Sequence, residues 1–271
     1  MTPLLVVGAH LDDAVLSCGR LLAATPGAVV VTVFAGRPSR LPAGTTPPGT
    51  TPPGTTEWDA ACGFRPGDDV VGTRCAEDDA ALAVLGARAV RLPFVDAQYA
   101  GPVDVPAQVR DVAAALGEVL VRERPTRVLT PLGLLHRDHR VVAAAALRLP
   151  AAGRSAYDDA PYRSFVPLRA RLAALARAGV RLGPPVVTTD ADVGPDAALR
   201  ARRAVAAYGS QAAGLATLAA RAGAVAPAAG PGAGMPGDVV RAVLGCPGAR
   251  PRRVRAAASP RPSRGRAARP G

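Results

Sequence analysis

Three features of the chain predict an α/β fold, a Rossmann-like and mostly parallel sheet flanked by helices. The first is a set of short apolar runs of strand length: Leu4 to Val7, Ala28 to Phe34, Ala89 to Leu92 and Arg127 to Thr130. The second is that Val29, Val30, Val31 and Val33 sit almost consecutively. Unbroken β-branched runs suit strands covered on both faces, as in a parallel sheet. The third is that these runs alternate with helical segments through about the first 150 residues, the pattern of a layered α/β domain.

Taken in order, Leu4 to Val7 is a buried strand ending at Gly8. Asp13 to Ala24 reads as a helix, with Val15, Leu16, Leu21 and Leu22 available to face a core. After the valine-rich second strand come a helix over Arg74 to Leu85 and the third strand. Val105 to Val121 is a long helix, Arg127 to Thr130 the fourth strand, and Arg137 to Leu147 helical again. Ala197 to Tyr208 and Gln211 to Ala222 read as two more helices, broken at Gly209. Right-handed crossovers put the C-terminal ends of parallel strands on one edge, where ligand sites of open α/β sheets sit.

Three stretches stand outside this pattern. Residues 44–56 repeat GTTPP-GTTPP-GTT, which proline keeps out of a sheet; the segment reads as an extended surface loop. Residues 223–237, GAVAPAAGPGAGMPG, read as a loop, and 223–249 as a whole as a loop with a short helix. Residues 250–271 hold eight arginines, no acid and almost no large apolar side chain, the composition of a disordered basic tail.

Composition narrows the function. All 33 cations among the 271 residues are arginines, against 21 acids, a net charge of +12. The tail carries +8 of it, so residues 1–249 are only mildly basic. At 3% aromatic residues there is little to stack single-stranded nucleic acid on. Nucleic-acid binding through the tail is the rival reading from a different class, and it lacks a recognition helix. No apolar run is long enough for a membrane span, and the start carries no basic region of a signal peptide. Cys18, Cys62, Cys75 and Cys246 lie far apart, as reduced thiols of a cytoplasmic protein would. Cys18 reads as a small buried hydrophobe on its helix.

The chemistry is concentrated in the three histidines. His10 follows the first strand in Gly8-Ala9-His10-Leu11-Asp12-Asp13, and the others follow the fourth in His136-Arg137-Asp138-His139. Singly, each has a plain alternative. A histidine at a strand end is commonly a hydrogen-bonded structural residue, Asp12 or Asp13 could cap the helix, and His-x-x-His occurs on ordinary helices. Together they offer imidazoles and carboxylates at two strand ends that a doubly wound sheet can make neighbours. A catalytic zinc needs three protein ligands and an open position, with a base and an acid beside it, and this inventory is large enough.

These two segments resemble the PIG-L/LmbE-type zinc-dependent N-deacetylases, whose signatures are Ala/Pro-His-x-Asp-Asp after a strand and a later His-x-x-His. The resemblance continues through Arg74-Cys-Ala-Glu77-Asp78 and Leu92-Pro-Phe-Val-Asp96-Ala-Gln-Tyr99 to Tyr208-Gly-Ser-Gln211, covering about residues 3–215. It implies one Zn2+ per chain, with Fe2+ as the other candidate, held by His10, Asp13 and His139. It implies Asp12 as the general base and His136 as the group that stabilises the oxyanion, as imidazolium, or protonates the leaving amine. It implies that Arg74 and Asp96 bind the substrate sugar, though by residue type alone Arg74 could pair with Glu77 and Asp78 and Asp96 could be a turn residue. Residues 1–222 would then be the deacetylase domain. The substrate would be a small-molecule sugar amide, an N-acetylglucosamine-like glycoside, with an amidase on a sugar conjugate as the alternative. Homo-oligomerisation stays open. Two positions depart from the family: Arg20 stands where a second glycine is usual, and Leu134 where some sugar deacetylases carry a tyrosine.

Overall fold

The structure, a computed structural model, describes residues 2–38, 55–150, 153–160, 162–163, 166–221 and 237–245. Most of the 44–56 repeat, residues 223–236 and the arginine-rich 250–271 segment therefore lie outside the described residues, as does any nucleic-acid contact by the latter.

Each expected apolar run becomes a strand: β1 (Leu5–Gly8), β2 (Val29–Thr32), β3 (Arg88–Arg91) and β4 (Val128–Pro131). Helix α1 (Asp13–Ala23) follows β1; α2 (Glu57–Ala61) and α3 (Val70–Leu85) follow β2; α4 (Val105–Glu123) follows β3; α5 (Arg137–Ala146) follows β4. The remainder is β5 (Arg154–Tyr157), α6 (Leu168–Arg177), β6 (Arg181–Thr188), α7 (Asp190–Val193), α8 (Pro195–Ala206), α9 (Gly209–Arg221) and β7 (Asp238–Gly245). They form one seven-stranded sheet in the order β3-β2-β1-β4-β5-β7-β6. The first five strands run parallel, with Val6 beside both Val30 and Leu129. Strand β7 is antiparallel to both of its neighbours.

Period-two alternation sends the side chains of β1 to opposite faces. Leu4 and Val6 join Val30 and Leu129 against α1, α3 and α8, through Leu22, Leu82, Leu85 and Ala201. Leu5 and Val7 join Val29 and Val31 against α4 and α5, through Val112, Leu116, Val141 and Val142. Each such fully buried side chain contributes about 1.5–3 kcal/mol of hydrophobic stabilisation. Because both faces are covered, Leu5–Val7 of β1 and Val29–Val31 of β2 are apolar on both faces and do not alternate with polar residues.

The strand order positions the site. After β1 the chain winds outward through β2 and β3, then returns to place β4 on the other side of β1. Crossovers that diverge this way leave a crevice outside the C-terminal ends of the two central strands. His10 follows one of those strands, and His136 and His139 follow the other.

Several boundaries differ from expectation. Helix α3 starts at Val70 and not at Arg74, because Asp69 accepts a hydrogen bond from Gly72 N–H and caps it (3.0 Å). The break between the two late helices falls at Ala207–Tyr208, and Gly209 opens α9. The larger correction concerns the short helix expected within 223–249. Residues 238–245 form strand β7, inserted between β5 and β6. Val239, Val240 and Val243 are β-branched, and β5 offers an open ladder edge for them to complete. Arg241 then reaches both oxygens of Asp158 beyond β5, at 3.1 and 3.2 Å. Asp238 accepts from Leu21 N–H at 2.9 Å and lies 3.4 Å from Arg20. Burial pushes the Asp238 carboxyl up to about 6, against the pull of Leu21 N–H and Arg20. The segment beyond residue 222 thus returns to the main sheet and braces α1. Cys18 is buried in the core as expected, although its backbone leaves helical geometry there (φ −133°). No helix among the described residues is long and apolar enough to cross a membrane.

Candidate metal centre and active site

The loop after β1 closes on itself. Asp13 Oδ2 accepts the backbone N–H of His10 at 2.7 Å, which turns the chain into α1 and fixes both side chains. Asp12 occupies the N-cap position of α1, yet its carboxylate makes no capping hydrogen bond. It is therefore free for the crevice, which answers the capping alternative. The loop after β4 is shaped by Gly133, whose φ of +82° an L side chain rarely adopts and whose Cβ would lie 2.8 Å from that of Ala143. Leu135, at φ +39°, is a strained non-glycine residue directly before His136. Its half-exposed side chain lines the mouth of the crevice.

These loops meet. His10 Nδ1 lies 3.4 Å and His139 Nε2 3.1 Å from Asp13 Oδ2. The donor atoms of His10, Asp13 and His139 all lie within 4.8 Å of one another, close enough to hold one metal ion. The fit is supported by an orphan: His139 Nε2 is buried and has no hydrogen-bond partner. Its other nitrogen, Nδ1, is held by the buried carboxylate of Asp159, an arrangement that leaves the Nε2 lone pair for a cation. Asp159 is fixed in turn by the N–H groups of Gly133 and Leu134, each at 3.0 Å. Two imidazoles and a carboxylate form a donor set that suits zinc or iron(II).

Electrostatics agree with geometry. Burial alone would raise Asp13, but His139 and His10 hold its carboxyl far below the ordinary range. Burial alone would lower His139, but Asp13 and Asp159 push it up to about 9. Asp12 is pushed up to about 7, first by burial and then by Asp13 beside it. His136 is lowered by burial and by His10, against Asp138. Its Nδ1 accepts the N–H of Asp138 at 3.3 Å, so the imidazole is neutral in this arrangement with its proton on Nε2.

One cleft of about 250 Å³ opens beside these groups and the expected sugar-binding residues. His10, Asp12, Asp13, His136, Arg74 and Asp96 all line it. Arg74 does not pair with Glu77 or Asp78. It is buried, and Nη2 donates to Asp59 at 2.9 Å while Nε has no partner. Glu77 instead accepts from Ser210, and Asp78 pairs with Arg91 and Tyr208. Asp96 stands 3.8 Å from His10 Nε2 and accepts from Gln98 N–H and Nε2, at 2.9 and 2.8 Å. His10, Asp96 and His136 form a second group of close donor atoms.

Three residues went unmarked in the sequence. Asp138 has no role assigned within the second motif, but it is fully buried, accepts from Ala97 N–H (2.8 Å) and faces His10 Nε2 (3.4 Å). Its adjacency to His136 and His139 was the available signal. Asp59 holds Arg74 and the Tyr99 hydroxyl on its two oxygens, and Asp159 orients His139. Neither of these two has a local signature. Leu134 sits in a small apolar cluster with Leu132 and Leu175 and offers the cleft no hydroxyl.

No curated protein matches the chain at a significant level. Among solved structures the chain is similar to the A40926 pseudoaglycone deacetylase Dbv21, at 27% identity over 90% of this chain and 97% of that one, TM-score 0.64. It is also similar to teicoplanin deacetylase Orf2 in its zinc-inhibited form, at 26% identity over 89% and 97%, TM-score 0.64. A deacetylase–teicoplanin complex matches at 27% over the same shares, TM-score 0.64. The family model for GlcNAc-PI de-N-acetylases matches residues 5–149, the span that supplies every expected ligand and catalytic residue. Covering more than half of the chain, that match makes this protein a member of the PIG-L family.

Proposed function

We propose that the chain is a metal-dependent hydrolase that removes an N-acetyl group from an N-acetylglucosamine-like sugar of a small glycoside. The observation that carries it is that His10 and Asp13, whose donor atoms meet those of the buried His139, line one cleft with Asp12, His136, Arg74 and Asp96. The neighbours solved as deacetylases, one of them with teicoplanin, support the substrate class. His10, Asp13 and His139 would hold one zinc or iron(II) ion.

Such an ion lowers the pKa of a bound water to about 7 and polarises a carbonyl oxygen. Asp12, uncommitted to capping, takes a proton from the water as it attacks the amide carbon. His136, with Nδ1 occupied by a backbone N–H, keeps Nε2–H to donate to the carbonyl oxygen as charge grows there. The C–N bond breaks as the nitrogen takes up the proton that Asp12 removed from the water, and acetate and a free amine leave. Arg74 and Asp96, which line the same cleft, bind the sugar hydroxyls.

The test is acetate release from N-acetylglucosaminides by zinc-loaded and chelator-treated protein, with metal content from elemental analysis. Asp12→Ala keeps zinc and loses turnover, whereas His139→Ala loses both. Normal turnover by Asp12→Ala, or a wild-type chain with neither metal nor acetate release, overturns the reading.

A further inference from the structure

We propose that the hydroxyl of Tyr162 is a catalytic donor of this site, hydrogen-bonding the amide carbonyl oxygen of the substrate as it becomes negatively charged. The inference rests on the deacetylase reading.

The chain has four tyrosines. Three have a partner for the hydroxyl: Tyr99 donates to Asp59 at 2.8 Å, Tyr157 to the Val7 carbonyl at 2.8 Å, and Tyr208 to Asp78 at 2.9 Å. A tyrosine hydroxyl turned inward normally finds such a partner. Tyr162 makes no hydrogen bond through its hydroxyl to any described residue, yet it lines the cleft beside His10, Asp12, Asp13 and His136. Its ring meets the His139 imidazole edge-on, with centroids 5.0 Å apart. An unpartnered donor thus belongs to a side chain that lines the cleft and packs on the imidazole of a proposed metal ligand.

Its position is not accidental to the loop. The Asp159 carbonyl accepts the N–H groups of Tyr162 and Arg163, both at 3.0 Å, while its carboxylate holds His139. Ala160 N–H is tied to Ser17 Oγ at 3.1 Å, and Arg163 reaches the Gly237 carbonyl at 3.0 Å. One pinned turn thus carries both the carboxylate that holds His139 and the tyrosine that lines the cleft. A donor held by such a shell does not need to reorganise as charge develops. The phenol stays a neutral donor near pH 7 and keeps its proton throughout.

Tyr162→Phe in the full zinc-loaded chain retains the ring against His139 and removes only the hydroxyl. We expect zinc per chain unchanged, KM within about 3-fold, and kcat for acetate release lower by about 10²-fold, the usual loss for one oxyanion donor. Affinity for acetohydroxamate, a carbonyl-bearing metal binder measured by calorimetry, should fall by about 10-fold. Wild-type kcat and unchanged hydroxamate affinity overturn the proposal, and so does loss of zinc, which would place the hydroxyl's role in the metal shell. If the wild-type chain releases no acetate, the deacetylase reading fails. The hydroxamate comparison still decides whether Tyr162 donates to an oxygen at the metal.

Discussion

The carboxylate of Asp159 holds Nδ1 of His139, so that the opposite nitrogen, Nε2, lies buried and unpartnered 3.1 Å from Asp13. Twenty residues separate the pair in sequence, and the loops after β4 and β5 bring them together. This contact selects the tautomer that can bind a cation.

Asp159→Asn should therefore weaken zinc binding by about 10- to 100-fold, the usual effect of losing a partner behind a metal-binding histidine. Competition with a fluorescent chelator measures it. Unchanged affinity would mean that ring packing alone orients His139.

Metal uptake should also depend on pH. In the metal-free protein Asp13 and Asp159 outweigh burial and push His139 up to about 9. Below that pH its Nε2 carries a proton that a metal must displace. Burial alone would lower His10 as well, but Asp96, Asp13 and Asp138 raise it. Apparent zinc affinity should then rise by more than about 10-fold and up to about 100-fold per pH unit from pH 6, and level off only once both imidazoles have lost that proton. A flat calorimetric profile over that range would rule this out.

Arg74 is held by Asp59 and packs over the Phe64 ring, 5.4 Å from its centroid. A lysine keeps the charge but loses the planar fork. Arg74→Lys should raise KM for an N-acetylglucosaminide by about 10-fold and leave kcat within about 3-fold, as expected for binding felt equally in ground and transition states. A fall in kcat with KM unchanged would move Arg74 into the chemical step.

Strand β7 is tied to α1 through Asp238. Asp238→Ala removes the acceptor for Leu21 N–H and one of two carboxylates beside Arg20, the other being Asp190 at 2.6 Å. Because Asp190 still holds Arg20, the cost should be about 2–3 kcal/mol, at or below the lower end for breaking a buried pair. Urea unfolding reads it directly. A loss under about 0.5 kcal/mol would show that β7 contributes little to the anchoring of α1.

The central strands and the five-residue inventory of His10, Asp12, Asp13, His136 and His139 could be read from residue order. Their signals are local: consecutive β-branched residues mark a strand buried on both faces, and each motif is contiguous at a strand end. Asp59, Asp159 and Tyr162 could not be read that way. Each reaches the site from a loop or short helix whose position follows from strand order, and none sits in a motif of its own. Strand β7 was missed for the same reason. Its eight residues become a strand only because β5 leaves a ladder edge beside them, with Asp158 and Arg20 waiting for Arg241 and Asp238. Contiguous chemistry was therefore written in the chain, while the partners that orient it depend on which strands become neighbours. That choice is made by burial and hydrogen bonding over the whole sheet, and no short stretch of sequence contains it.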